Sequence, residues 1–344
     1  VCRKARTRWV EIAGKMENAC VRTAHTLHAG YGLLIDDLIT KERYMSNAQL
    51  THKQHFVPAF YLRAWASDWK DKGFKIKIFD KKNNEEDYRN PEGTSICHSY
   101  DFYEKSNTDT DNKIENWLGD IENQVSIVRN GRNESIRTNE LIEEFLFVVH
   151  AKESGDNGKR NEFDQKEVLK GIKLIENFNV ENAINNIKLF MAIQYIRTPS
   201  ALDRFCKQME LNENLIKTPF DMIETLQTSG FKDRVFKLTP SFLYIPRKFQ
   251  SKYRFSTSDN PCIDYQVNNN LQPLFASQIG ENDVVMLMPL SPSICIMLFP
   301  ENFNYPGRIN QGIGFIKILD METINIVQQH NNFYKENAHN IVVL

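Results

Sequence analysis

Two apolar runs near the C-terminal end, DVVMLMPLS (Asp283 to Ser291) and SICIMLFP (Ser293 to Pro300), set the strongest limit on how this chain folds. Each is strand-sized and broken by proline, and neither approaches the roughly 18 residues a membrane span needs. FLYIP and YRFSTS, upstream of them, are likewise short runs rich in β-branched and aromatic residues. Short connections between such runs favour antiparallel pairing. Before about position 200 the apolar period is helical instead. Helices first and a sheet later make the chain α+β: a helical N-terminal and central part packed against a C-terminal, mainly antiparallel sheet.

The helical part is read from spacing. DTDNKIENWLGDIENQVSIVRNG (Asp109 to Gly131) predicts a helix capped by Asp111 and ended by Gly131. Ile114, Trp117, Leu118, Ile121, Val125 and Val128 form its apolar stripe. Glu115 and Glu122 fall on one line at the edge of that stripe. A second helix starts near Asn139, and KESGDNGKRNEFD after it reads as a loop and the best proteolysis site. LKGIKLIENF and VENAINNIKLFMAIQYIR are two more helices, the last stopping at Thr198-Pro199 because the residue before proline resists helical geometry. GFKIKIFDKK alternates as a half-buried strand. DMETINIVQQHNNFYKENA closes the chain as a helix capped by Asp320.

Bulk properties remove several function classes. Hydrophobic content of 41%, charged content of 25% and a net charge of -1 describe an ordinary globular protein without a global field toward nucleic acid or an acidic membrane. The six cysteines are scattered, with no C-x-x-C pair, which predicts reduced, mostly buried thiols and a cytoplasmic location. No glycine-rich phosphate loop is present, which argues against nucleotide-driven motors, kinases and dinucleotide oxidoreductases. Residues 1–44 differ from the rest: their first part is basic, and Met45 stands just ahead of THKQH. They read as an extension or as residues ahead of a true start at Met45, with residues 45–344 as a single domain.

Four stretches carry a family resemblance. QHFVPAFYLRAW (Gln54 to Trp65), IQYIRTP (Ile193 to Pro199), FSTSDNP (Phe255 to Pro261) and MPLSP (Met288 to Pro292) stand in order, and the helix with Glu115 and Glu122 adds a fifth element. Together they resemble the bacterial family called domain of unknown function 4238, over about residues 50 to 344. This chain has Gln54-His55 where many members carry paired histidines, and Trp65 where phenylalanine is usual. The resemblance implies a domain boundary and a residue set, and no reaction.

The chemistry therefore rests on residue types. His55 can act as a base or ligate metal, and the Val57-Pro58 step after it fixes the backbone. The alternative is a histidine hydrogen-bonded inside the fold. His52 would be a co-ligand only on a helix, which Pro58 argues against. Gln194 and Arg197 share a helix face. Arginine forks a phosphate or carboxylate, or forms a structural ion pair with Glu115 or Asp259. Asp259 and Asn260 follow a strand, where a carboxylate can hold metal or act as a base, or simply form a turn. Ser291 lacks a nucleophile context. Phe60, Tyr61, Trp65 and Trp69 read as core, with base stacking as the other use.

Two functions follow from these residues. In the first, Asp259 with Glu115 or Glu122 holds a divalent ion, Mg²⁺ or Mn²⁺, Arg197 stabilises phosphate charge and His55 activates water. That is a metal-assisted phosphodiesterase or nuclease acting on nucleic acid, in phage defence. In the second, the same residues form a buried polar network in a non-catalytic ligand-binding, sensor or interaction module. An open pocket lined by these residues favours the first, and individual burial favours the second.

Overall fold

The computed structural model describes residues 53–66, 75–91, 97–100, 113–130, 134–156, 163–201, 203, 231–266, 284–300, 308–310 and 314–344. The basic segment 1–44, Met45, His52 and Trp69 lie outside the described residues. In chain order the elements begin with β1 (Lys53–His55) and the short helix α1 (Ala59–Leu62) with its 3-10 turn Arg63–Trp65. Then come β2 (Ile76–Asp80), β3 (Glu85–Arg89), β4 (His98–Tyr100), α2 (Lys113–Ser126), β5 (Ile127–Asn130) and β6 (Glu134–Arg137). Next are α3 (Thr138–Asp156), α4 (Gln165–Ile175), α5 (Val180–Ile196), α6 (Phe231–Lys237), β7 (Thr239–Tyr244), β8 (Thr257–Ser258) and β9 (Ile263–Gln266). The last are β10 (Val284–Ser291), β11 (Ile294–Phe299), β12 (Arg308–Asn310), β13 (Gly314–Ile318), α7 (Asn325–Asn337) and β14 (Ile341–Val343).

The fold is α+β. The C-terminal strands build a six-stranded sheet ordered β12-β13-β7-β11-β10-β9. Every pair in it is antiparallel except β13 with β7. Its central strands alternate cleanly between two cores. Phe242, Tyr244, Met286, Met288, Ile294 and Ile296 join the core shared with α2, α3, α4 and α5. Leu243, Val285, Leu287, Cys295, Met297 and Phe299 join a second core with Val327, Phe333 and Tyr334 of α7. Burial on both faces explains why these runs are continuously apolar rather than alternating. A four-stranded sheet, β3-β2-β14-β8, places the end of the chain between an early strand and the FSTSDNP segment.

Three boundaries differ from the sequence expectation. The Asp109 to Gly131 helix is shorter: α2 ends at Ser126, and Val128 belongs to β5, paired with Ile136. The β-branched pair Ile127-Val128 suits that hairpin strand. Helix α3 runs on to Asp156, into the stretch expected as loop. Asp320 caps a turn rather than the closing helix: its carboxylate accepts from Glu322 N, Thr323 N and Thr323 Oγ1, and α7 begins at Asn325.

Candidate functional site

Tyr61 and Trp65 fasten the first motif to the late ones. The Tyr61 hydroxyl donates to the Pro289 carbonyl at 2.7 Å and shares a 2.7 Å hydrogen bond with the Thr257 hydroxyl. Trp65 Nε1 donates to the Phe255 carbonyl at 2.8 Å. Both rings are buried core, as expected. Phe60, partly buried, stacks tilted on Phe190 of α5 with centroids 5.4 Å apart.

Arg197 stands at the C-terminal end of α5 and is 1% exposed. Its Nε donates to the Phe56 carbonyl at 2.9 Å, and its NH1 bridges Glu122 Oε1 at 2.9 Å. The fully buried Gln194 amide completes the group when turned to satisfy both of its ends: its nitrogen then donates to Phe56 O at 3.2 Å and its oxygen accepts from the Arg197 guanidinium. Each partner answers a group that burial would otherwise leave costly. Arg197 thus forms a structural ion pair, but with Glu122 rather than with Asp259, whose oxygens accept from backbone N–H groups. The next residue, Thr198, donates through its hydroxyl to Asn260 Oδ1 at 3.2 Å, which joins the second and third motifs.

Asp259 is 3% exposed, and its carboxylate accepts from His339 N at 2.9 Å, Asn340 N at 2.7 Å and Ile341 N at 3.0 Å. It clasps the entry to the last strand and does not close a local turn on its own backbone. Burial pushes its carboxyl above the ordinary range, while the three N–H donors and His339 pull it back. Ser291 ends β10 at its bulge and meets Ser293 Oγ at 3.0 Å across the turn to β11.

The metal scheme does not fit these donors. Both Asp259 oxygens are taken by backbone N–H groups, and Glu122 Oε1 is taken by Arg197. The Glu115 side chain lies outside the described residues. Among the described residues, no group of three or more His, Cys, Asp or Glu side chains is placed to share a metal ion. Burial pushes the Cys97 and Cys295 thiols up, away from the reactive thiolate. Cys295 Sγ is 3.5 Å from His330 Nε2, but burial pushes the thiol up and lowers His330 to about 4, so both stay neutral.

A cavity of about 430 Å³ opens beside this network. Its walls are mainly apolar: Phe60, Tyr61, Val125, Ile187, Phe190 and Leu290. Of the candidates expected from sequence to do chemistry, His55 and Glu122 line it. Gln194, Arg197, Asp259 and Asn260 are instead buried in the network. His55 pairs with His98 across the β1–β4 ladder, with ring centroids 3.5 Å apart. Its pKa falls to about 4, first through burial, then through His98 and Arg197. At neutral pH the ring is therefore an uncharged hydrogen-bonding group and a weak proton acceptor.

Arg63, Gly119, Asn123, Arg137, Thr138 and Asn139 also line the cavity, and none was singled out from sequence. A threonine opening a helix and a lone helical glycine look ordinary in a sequence. Only the meeting of α1, α2, α3 and α5 makes them neighbours.

No curated protein and no solved structure matches the chain. A family model described as a protein of unknown function, DUF4238, matches residues 53–343, a span that runs from the first residue of β1 to the last residue of β14. The chain therefore belongs to the DUF4238 family.

Proposed function

We propose that this protein is a small-molecule-binding module of the bacterial cytosol, and that its motif residues hold the fold that shapes the binding cavity. One observation carries this reading: Gln194, Arg197, Asp259 and Asn260 spend their polar groups on internal partners, while an apolar cavity with a few polar groups lies beside them. Concave, mostly apolar pockets of roughly 300–1,000 Å³ with a few convergent polar groups are the usual form of small-ligand sites. A neutral His55 suits hydrogen bonding to such a ligand better than proton abstraction.

Phosphodiester hydrolysis of nucleic acid is the second reading. The arginines Arg63 and Arg137, which line the same cavity as His55, favour it.

The test is a thermal-shift screen of a fragment library against wild type and Gly119→Leu. Gly119 lines the cavity and a Cβ there meets nothing within 4 Å, so a leucine adds bulk at the cavity wall. Fragments that raise the melting temperature of wild type and not of the variant support the reading. No hit at millimolar concentration, or hits that persist in the variant, overturn it. Incubation with DNA and RNA in Mg²⁺, Mn²⁺ or EDTA tests the second reading, which needs cleavage that His55→Gln abolishes without unfolding.

A further inference from the structure

The residues around the cavity divide by burial. Tyr61, Val125, Ile187, Phe190, Met288 and Leu290 line it and are each at most 8% exposed, so they form its inner wall. Arg63, Asn123 and Arg137 line it and are exposed, so they stand where it opens to water. The inner wall is therefore mainly carbon. The Tyr61 hydroxyl is spent on the Pro289 carbonyl and the Thr257 hydroxyl, which leaves the ring as the part a ligand can touch. Thr138 is also a buried lining residue, and its hydroxyl oxygen is closed to solvent.

The charges around the cavity are answered without a ligand. Glu122 is the one carboxylate of the lining, and Arg197 holds its Oε1 at 2.9 Å. Arg137 Nε donates to Glu140 Oε1 at 2.8 Å, and Arg63 is solvated at the mouth. His55 is uncharged at neutral pH, because burial, His98 and Arg197 lower it to about 4. A charged ligand would shed its hydration on entry and meet no unanswered counter-charge at the inner wall. An uncharged ligand escapes that cost.

The inner wall also favours one shape. Phe60 and Tyr61 each lie tilted on Phe190, with centroids 5.4 and 6.0 Å apart, so three rings adjoin. Aromatic side chains attract a further ring in offset or edge-on contact, beyond the gain from buried area. A volume of about 430 Å³ suits a drug-sized molecule.

We propose that the cavity takes an uncharged aromatic molecule, its ring system seated against Phe60, Tyr61 and Phe190. This rests on the reading of the cavity as a small-molecule site and narrows it to one ligand class.

Four probes test it: naphthalene-2-carboxamide, its saturated analogue decahydronaphthalene-2-carboxamide, naphthalene-2-carboxylate and 2-naphthylmethylammonium, titrated calorimetrically into the full chain at neutral pH. The aromatic amide binds at least about tenfold tighter than either charged probe and about threefold or more tighter than the saturated amide. Phe60→Leu, at a partly buried position, brings the two amides within about twofold of each other. Gly119→Leu weakens the aromatic amide at least about tenfold, by adding bulk at the wall.

A charged probe that binds as tightly as the aromatic amide overturns the uncharged class. A saturated amide that binds as tightly, or a gap between the amides that Phe60→Leu leaves unchanged, overturns the aromatic seat. Each of these leaves the cavity reading standing. Aromatic-amide binding that Gly119→Leu does not weaken lies elsewhere and overturns the proposal. No binding by any probe, with fragment hits that Gly119→Leu removes, overturns this ligand class alone; no binding in either experiment overturns both.

Discussion

Arg197 is 1% exposed and donates to the Phe56 carbonyl and the Glu122 carboxylate at once, so its loss takes a donor from both. Arg197→Met keeps the length of the side chain and removes both bonds. The expected cost is about 3 kcal/mol, because breaking one partner of a buried pair leaves the other uncompensated. Urea unfolding followed by circular dichroism reads it. The histidines set the acid limb of stability. His55 and His330 are each lowered to about 4 by burial, so the folded state resists a proton that the unfolded chain accepts from about pH 6.5 downward. Stability is full above pH 6.5 and is lost progressively as pH falls toward 4. Asp259, held above its ordinary range, acts in the opposite sense, in the carboxylate range only. Unfolding curves between pH 7.5 and 4.5 should fall in wild type and flatten in the double variant His55→Gln, His330→Phe. The residue types of this network were legible in the sequence, as was the choice between ion pair and ligand for Arg197. The partner was not, because Glu122 and Arg197 are 75 positions apart and only the packing of α2 on α5 joins them.

Helices α2 and α4 each contain one glycine, and the two predict opposite outcomes. Gly119 faces open space, so Gly119→Leu gains helix propensity and raises stability by about 0.5–1 kcal/mol. Gly171 sits where α4 touches α3: a Cβ there lies 2.9 Å from Val148 Cγ2 and 3.0 Å from Glu144 Oε2. Gly171→Ala therefore pushes the helices apart, and its net cost is about 1 kcal/mol after the propensity gain. Differential scanning calorimetry of the two variants should show melting temperatures that move in opposite directions. Element type was legible wherever one period ran long, as in α4, α5 and the strands β10 and β11. Hairpin β5–β6 was not, because Val128 also continues the helical stripe of α2. The start of α3 was read within a residue, yet its cavity role was hidden, since nothing in RTNE separates a helix opening from a binding wall.

At the scale of the molecule, strand β14 closes the four-stranded sheet. Strand β14 pairs with β2 on one side and β8 on the other, and the approach to it is clasped by Asp259. Truncation after Asn337 opens the four-stranded sheet between its second and fourth strands and leaves the Asp259 carboxylate buried without donors. Such a chain should lose its near-ultraviolet dichroism and elute as an expanded or aggregated species in gel filtration. The α+β class was legible from the change of apolar period along the chain. The arrangement of the motifs was not: four short stretches spread from Gln54 to Pro292 close on one polar network, and sequence order carries no sign of it. Most of that network is fold, and the cavity of about 430 Å³ lies beside it.

The most direct check of that division is the unfolding free energy of Asp259→Asn in urea. The amide keeps the shape but turns a donor toward backbone N–H groups. The expected result is a loss of about 2 kcal/mol with an unchanged urea slope, as a fold-holding carboxylate requires. An unchanged midpoint would contradict the account and return Asp259 to the chemistry of a site.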